Sequence, residues 1–111
     1  MLIFTTKEKN LIRRVRKLLS NPKRWTQGSL AKTKDQYQVF YNSKDAVCWC
    51  LSGAFFKLSV CGSFSQELDI VPTIQKIINL NSMKESFPTF NDNHTHEEVL
   101  GLLDNTIKEF S

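Results

Sequence analysis

The sequence predicts an α+β fold dominated by helices, about four of them around a buried central helix over residues 45–61, with one two-stranded β-hairpin packed across them. Three observations predict it. The stretch DAVCWCLSGAFFKLSVC, Asp45 to Cys61, has apolar or small residues on every side if wound as a helix, so it has no face to give to water. Two flanking segments, near each end of the chain, open on capping boxes and carry apolar residues at helical spacing. Between the first of these and the central stretch, Gln36 to Tyr41 is rich in aromatic and β-branched residues with partial alternation.

The first helix is expected over 5–20. Thr5 and Glu8 form the capping box, and Leu11, Ile12, Val15, Leu18 and Leu19 form the inner stripe. Its outer face carries Lys9, Arg13, Arg14, Arg16 and Lys17, and Asn21-Pro22 ends it, because proline cannot continue the ladder. Gly28, able to take positive φ, then leads into a hairpin of Ser29–Lys32 and Gln36–Tyr41 turning near Thr33 to Asp35. Asp45 is the expected N-cap of the central helix, where Gly53 implies the close approach of a neighbouring helix. Gly62 and Ser63 end that helix. Ile70, Val71, Ile74, Ile77, Ile78 and Leu80 give the next helix its stripe, with Pro72 either at a first helical position or at a kink. Residues 79–94 lack apolar periodicity and read as an ordered loop with Phe87 and Phe90 tucked beneath it. Thr95 and Glu98 open the last helix, whose inner face is Val99, Leu102, Leu103, Thr106, Ile107 and Phe110 and whose outer face is mostly acidic.

At 111 residues, with 41% hydrophobic and 23% charged side chains, the chain fits a single domain over 1–111. Its longest apolar run is broken by Ser52, Lys57 and Ser59, short of the about 20 residues of a membrane span. The N-terminus has no basic region ahead of its apolar residues and no small-residue cleavage site, so a cytoplasmic protein without membrane contact is expected. Cys48, Cys50 and Cys61 are an odd number of thiols in apolar surroundings, the pattern of reduced, buried cysteine.

The net charge of +4 conceals a segregation. Residues 1–34 hold ten basic side chains and one acidic, Glu8, whereas residues 35–111 hold five basic and ten acidic. The basic face of the first helix is therefore either solvated surface, partly neutralised by the acidic last helix, or an electrostatic landing strip for an acidic protein, phosphate or RNA. That helix has no aromatic residue to stack on bases, which disfavours a nucleic-acid partner.

No complete catalytic, metal or cofactor motif occurs, so no cofactor and no metal is expected. His94 and His96 flank the last N-cap, but the cysteines lack C-x-x-C spacing, which disfavours zinc. One histidine is expected to be exposed and the other to make a local hydrogen bond. A thiol hydrolase would use Cys50 or Cys48 activated by His94 or His96, with Asn91 or Asp92 as orienter and Gln27 as an oxyanion donor. Against it, only Cys48 falls in the first turn of the expected helix. Trp25, Gln27, Trp49, Asn91 and Asp92 form a different constellation. Either they bind a small ligand, anionic in the sharpest version of this reading, or they tie the loop to the hairpin.

The blocks Arg24-Trp25-Thr26-Gln27-Gly28, Cys48 to Ala54, Phe90-Asn91-Asp92 and Thr95 to Leu100 resemble those of a family of small uncharacterised proteins encoded by phages and bacteria, with the pattern RWxQG, WCxxGA, ND and TxxEVLxLL. The resemblance implies that Trp25, Gln27, Trp49, Asn91 and Asp92 act together, and it implies no chemistry. Where such relatives often have a small or Gly-rich hairpin, this chain has AKTKDQ. The function expected from these features is a non-enzymatic binding protein, an accessory regulator or inhibitor that docks on another protein through Lys9, Arg13, Arg14, Arg16 and Lys17. The alternative is the ligand pocket or the thiol enzyme.

Overall fold

In the computed structural model, which describes residues 3–59 and 70–110, the first helix is α1, Thr6–Leu19. Both halves of its capping box form: Thr5 Oγ1 accepts from the Glu8 N–H at 3.1 Å, and the Thr5 N–H donates to Glu8 Oε1 at 2.8 Å. Leu11, Ile12, Val15 and Leu19 are buried. A 3-10 turn, Pro22–Arg24, follows, with Asn21 Oδ1 accepting from the Lys23 N–H.

The expected two-stranded hairpin is a three-stranded antiparallel sheet. Strands β1 (Ala31–Lys32), β2 (Gln38–Val39) and β3 (Cys48–Trp49) lie in the order β2-β1-β3, with Ala31 opposite both Val39 and Trp49. The third strand is taken from the N-terminal end of the stretch expected to be the central helix. Helix α2 runs over Leu51–Ser59, so Asp45 is not its N-cap. Val47, Cys48 and Trp49 are β-branched, thiol and aromatic, and they satisfy their backbone against β1 while Trp49 C=O accepts from the Thr26 N–H at 3.1 Å. The end expected at Gly62 and Ser63, and Cys61, lie outside the described residues.

Helix α2 is nonetheless interior: Leu51, Ser52, Gly53, Ala54 and Phe55 are all buried, and the helix meets α1, α3 and α4. Gly53 is required, but for a different neighbour than a helix. A Cβ there would lie 1.9 Å from the carbonyl oxygen of Leu30, so the chain entering β1 rests directly on the α2 backbone.

Five α-helices, not four, occur among the described residues. Helix α3, Ile70–Leu80, contains Pro72 as its third described residue rather than at the first helical position. Its buried side chains are Ile70, Thr73 and Ile77, and Val71 is 68% exposed because Thr73 takes the inward position opposite Glu8. The segment read as a loop contains α4, Phe87–Asn93, started by Ser86 as N-cap with Pro88 in its first turn. Phe87 is buried and Phe90 partly so. Helix α5, His96–Phe110, has the Thr95/Glu98 capping box and buries Val99, Leu102, Leu103 and Thr106. No helix among the described residues is long and apolar enough to cross a membrane.

Candidate functional site

The constellation read from the sequence sits where helix ends converge. The 3-10 turn after α1 swings Trp25 to Gly28 alongside the end of β3, with a parallel bridge between Trp25 and Trp49. From the other side, α4 presents its last residues. Asn91 is the hub. Its side chain is wholly buried, and its Oδ1 accepts from Trp25 Nε1 at 2.7 Å and from the Leu51 N–H at 3.0 Å. Its Nδ2 donates to the Thr26 carbonyl at 2.9 Å and to Asp92 Oδ1 at 3.4 Å. One side chain thus caps the N-terminus of α2 and holds an indole and the strand approach.

Gln27 works in the opposite direction. Its Nε2 donates to the carbonyls of Asn91, Asp92 and His94, at 3.0, 3.2 and 3.0 Å, closing the C-terminal end of α4. Asp92 Oδ1 accepts from the Gly28 N–H at 2.9 Å, where Gly28 stands at φ +84°. His96 joins from α5: its Nε2 lies 2.6 Å from the Leu19 carbonyl at the end of α1, and its ring is 5.5 Å from that of Trp25. Trp49 enters only through its backbone. Its indole N–H donates to the Tyr41 carbonyl at 2.9 Å, and Lys57 Nζ lies 4.9 Å from its ring centroid. Among the described residues no buried side-chain nitrogen or oxygen lacks a partner, so the polar atoms here are spent on one another.

Cys50 occupies the N-cap position of α2. Its Sγ accepts from the Gly53 N–H at 3.3 Å, and its carbonyl accepts from the Ala54 N–H. Burial pushes its thiol pKa up and the Asp92 charge adds to this, while the Gly53 and Ser52 N–H groups pull it down without prevailing. Cys48 is also a buried free thiol, its Sγ directed at the Lys32 carbonyl. The hydrogen bonds of the two histidines run elsewhere. Neither histidine stands free, contrary to the expectation of one exposed ring: His94 lies between two glutamates, 3.2 Å from Glu85 and 3.3 Å from Glu98, and stacks on Phe90 with ring centroids 4.0 Å apart. Those carboxylates raise the His94 pKa. His94, Phe90, Glu85 and Glu98 line an open cleft of about 570 Å³ with Asn105 and Met83. Sequence reasoning missed this cleft; the i, i+4 spacings Phe90/His94 and His94/Glu98, one helical turn each, are the signal that could have found it.

The basic residues of α1 divide. Arg16 is committed to Asp104 on α5 through two hydrogen bonds of 2.6 and 3.2 Å. Arg13 and Lys9 lie over the Phe110 ring, at 5.0 and 5.9 Å from its centroid. Arg14 and Lys17 are exposed and make no ion pair among the described residues.

A family model described as a family of unknown function (DUF6197) matches residues 4–109. The chain belongs to this family. No curated protein and no solved structure matches it. In this family member the matched span runs from the start of α1 to the end of α5, so it takes in the whole network centred on Asn91.

Proposed function

We propose that this chain is a non-enzymatic cytoplasmic protein of phage or bacterial origin, an accessory regulator or inhibitor that docks on an acidic surface of another protein through the outer side of α1. One observation carries the reading. Glu8, the sole acidic residue before Asp35, points inward and is 5% exposed, held by the Thr5 N–H, Thr73 and Lys76, so it cannot neutralise the surface of its own helix. Lys7, Arg14, Lys17, Lys23 and Arg24 are exposed, and none makes an ion pair among the described residues. Such a field reaches about 8–10 Å into physiological salt and speeds encounter with an acidic partner. The helix supplies no base-stacking ring, which favours protein over nucleic acid.

A small anionic ligand at the Asn91 network ranks second, since it would have to take the Leu51 N–H from Asn91. The test is photo-crosslinking in host cells from a reporter at position 10, beside Arg14 and Lys17. The expected result is one discrete acidic protein, lost in Arg14→Glu/Lys17→Glu. Retention by that variant, or capture of nucleic acid alone, refutes the reading.

A further inference from the structure

Of the three described glycines, two have a reason in the fold and one does not. Gly28 stands at positive φ and Gly53 lies against the Leu30 backbone, but Gly101 is helical, sixth in α5, and a Cβ there would meet nothing within 4 Å. A glycine inside a helix costs about 1 kcal/mol relative to alanine, so this bare stretch of backbone is destabilising unless something needs the space. It lines the open cleft of about 570 Å³ between α5 and the 81–85 segment. Glu98, Gly101 and Asn105, at i, i+3 and i+7, share one face of α5. The missing side chain therefore makes a trough about 10 Å long with a polar group at each end.

The ends and the middle of this trough call for different chemistry. Both ring nitrogens of His94 lie against carboxylate oxygens, and only an imidazolium can donate to both, so Glu85, His94 and Glu98 together keep a single net negative charge. Each of the four carboxylate oxygens meets one donor, from His94, the Thr95 N–H or the Asn93 amide, and keeps a lone pair for another. At the far end, Asn81 Nδ2 donates to the Ile77 carbonyl and to Thr106, so its Oδ1 accepts from Asn105 Nδ2 and the Asn105 Oδ1 is left as an acceptor. Between the ends lie Met83, Leu102 and the glycine. Lys84 at the rim is exposed and, among the described residues, pairs with neither carboxylate. We propose that this trough binds a linear aliphatic polyamine, with one ammonium group on the Glu85 and Glu98 carboxylates, the methylene chain along Gly101, Met83 and Leu102, and a second ammonium group at Asn105. Acceptors at both ends call for donors, the negative end calls for a cation, and the apolar middle calls for methylenes. An anion would meet two carboxylates. A lysine side chain has the same ammonium-and-methylene chemistry but carries one cation and reaches one end.

Isothermal titration calorimetry of the full chain with spermidine, in about 0.15 M salt, tests it. Because the protein's net charge is +4, unspecific attraction for a cation is not expected to mimic a site. The expected result is saturable one-to-one binding, about tenfold tighter than that of putrescine or of an end-capped peptide with one lysine, neither of which serves both ends. Gly101→Leu fills the trough without touching a polar group. It is expected to weaken binding at least about tenfold while unfolding in urea no earlier than wild type, so occlusion is read apart from folding. Glu98→Gln, which keeps the capping box, is expected to weaken binding about tenfold, and Lys84→Gln to tighten it about threefold, the opposite of what an anionic ligand would show. Arg14→Glu/Lys17→Glu should bind spermidine as wild type does, so failure of the docking reading leaves this one standing. No saturable binding, binding undiminished by Gly101→Leu, weakening by Lys84→Gln, or binding of putrescine or the lysine peptide as tight as that of spermidine overturns the proposal.

Discussion

Asn91 makes four hydrogen bonds from a position without solvent access, and three of the partners it serves, the Trp25 indole, the Leu51 amide and the Thr26 carbonyl, are groups that folding would otherwise leave unpaired. Removing it orphans the Trp25 indole N–H, the Leu51 amide and the Thr26 carbonyl together. Each unsatisfied buried group costs about 1–3 kcal/mol, so Asn91→Ala is expected to lower unfolding free energy by about 3–5 kcal/mol, measured in urea. Gln27 serves carbonyls at the exposed end of α4, where water can substitute, and Gln27→Ala is expected to cost about 1 kcal/mol. A loss at Asn91 no greater than at Gln27 would show that the hub is not what holds these helix ends. The thiol of Cys50 belongs to the same network. With Sγ accepting a hydrogen bond, 4% exposure and a raised pKa, it is expected to react with iodoacetamide in the native state far more slowly than in urea. Fast single-site labelling of the folded protein would instead reopen the thiol-enzyme reading.

At the level of elements, the two helices with capping boxes were legible because local sequence decides them: Thr5/Glu8 and Thr95/Glu98 are three residues apart and need no other part of the chain. The elements misread are those decided by distant partners. Val47 to Cys50 is apolar enough for a helix, but β1 claims its backbone, and that pairing has no local signal. Helix α4 was hidden because its inward position is held by a polar residue, Asn91, whose satisfaction depends on Trp25, Thr26 and Leu51. The constellation itself was legible as a set of residues, while its task of capping helix ends depended on the topology. Gly53 carried half of its meaning: a close approach was readable, its owner was not. Two glycines separate these effects. Gly101 lies on the exposed side of α5 with nothing within 4 Å of an added Cβ, so Gly101→Ala is expected to raise stability by about 0.5–1 kcal/mol through helix propensity. Gly53→Ala meets the Leu30 backbone and is expected to cost about 3 kcal/mol or more, with loss of the β1 contact. Matching changes in thermal midpoint at the two positions would contradict the close approach.

Across the whole molecule, two ionisable clusters fasten α3 to α1 and the α3–α4 connection to α5, and they set opposite limits on pH. In the first, burial raises the Glu8 pKa, but the hydrogen bonds from Lys76, the Thr5 N–H and Thr73 outweigh it, and the net value lies below the ordinary glutamate pKa of about 4.5. A depressed carboxylate contributes stability that is present above its unfolded pKa and is lost as pH falls through its folded one. Glu98, lowered by the Thr95 N–H and then by His94, acts in the same sense. His94 has the contrary sign. Glu85 and Glu98 raise its pKa, so its contribution is complete below about 6.5, the unfolded value, and fades as pH rises through the higher folded one. Stability is therefore expected to level off between about pH 5 and 6.5 and to decline on both sides, the acid limb belonging mainly to the buried Glu8 and the alkaline limb to His94. Urea midpoints from pH 3 to 9 check this, with His94→Gln expected to flatten the alkaline limb and to reduce the acid limb only by the part Glu98 owes to His94, and Glu8→Gln expected to flatten the acid limb alone. A wild-type midpoint that keeps rising from pH 6 to 9 would mean that the carboxylate–imidazole–carboxylate bridge does not hold the 81–86 segment to α5, and a profile of His94→Gln parallel to wild type would mean the same.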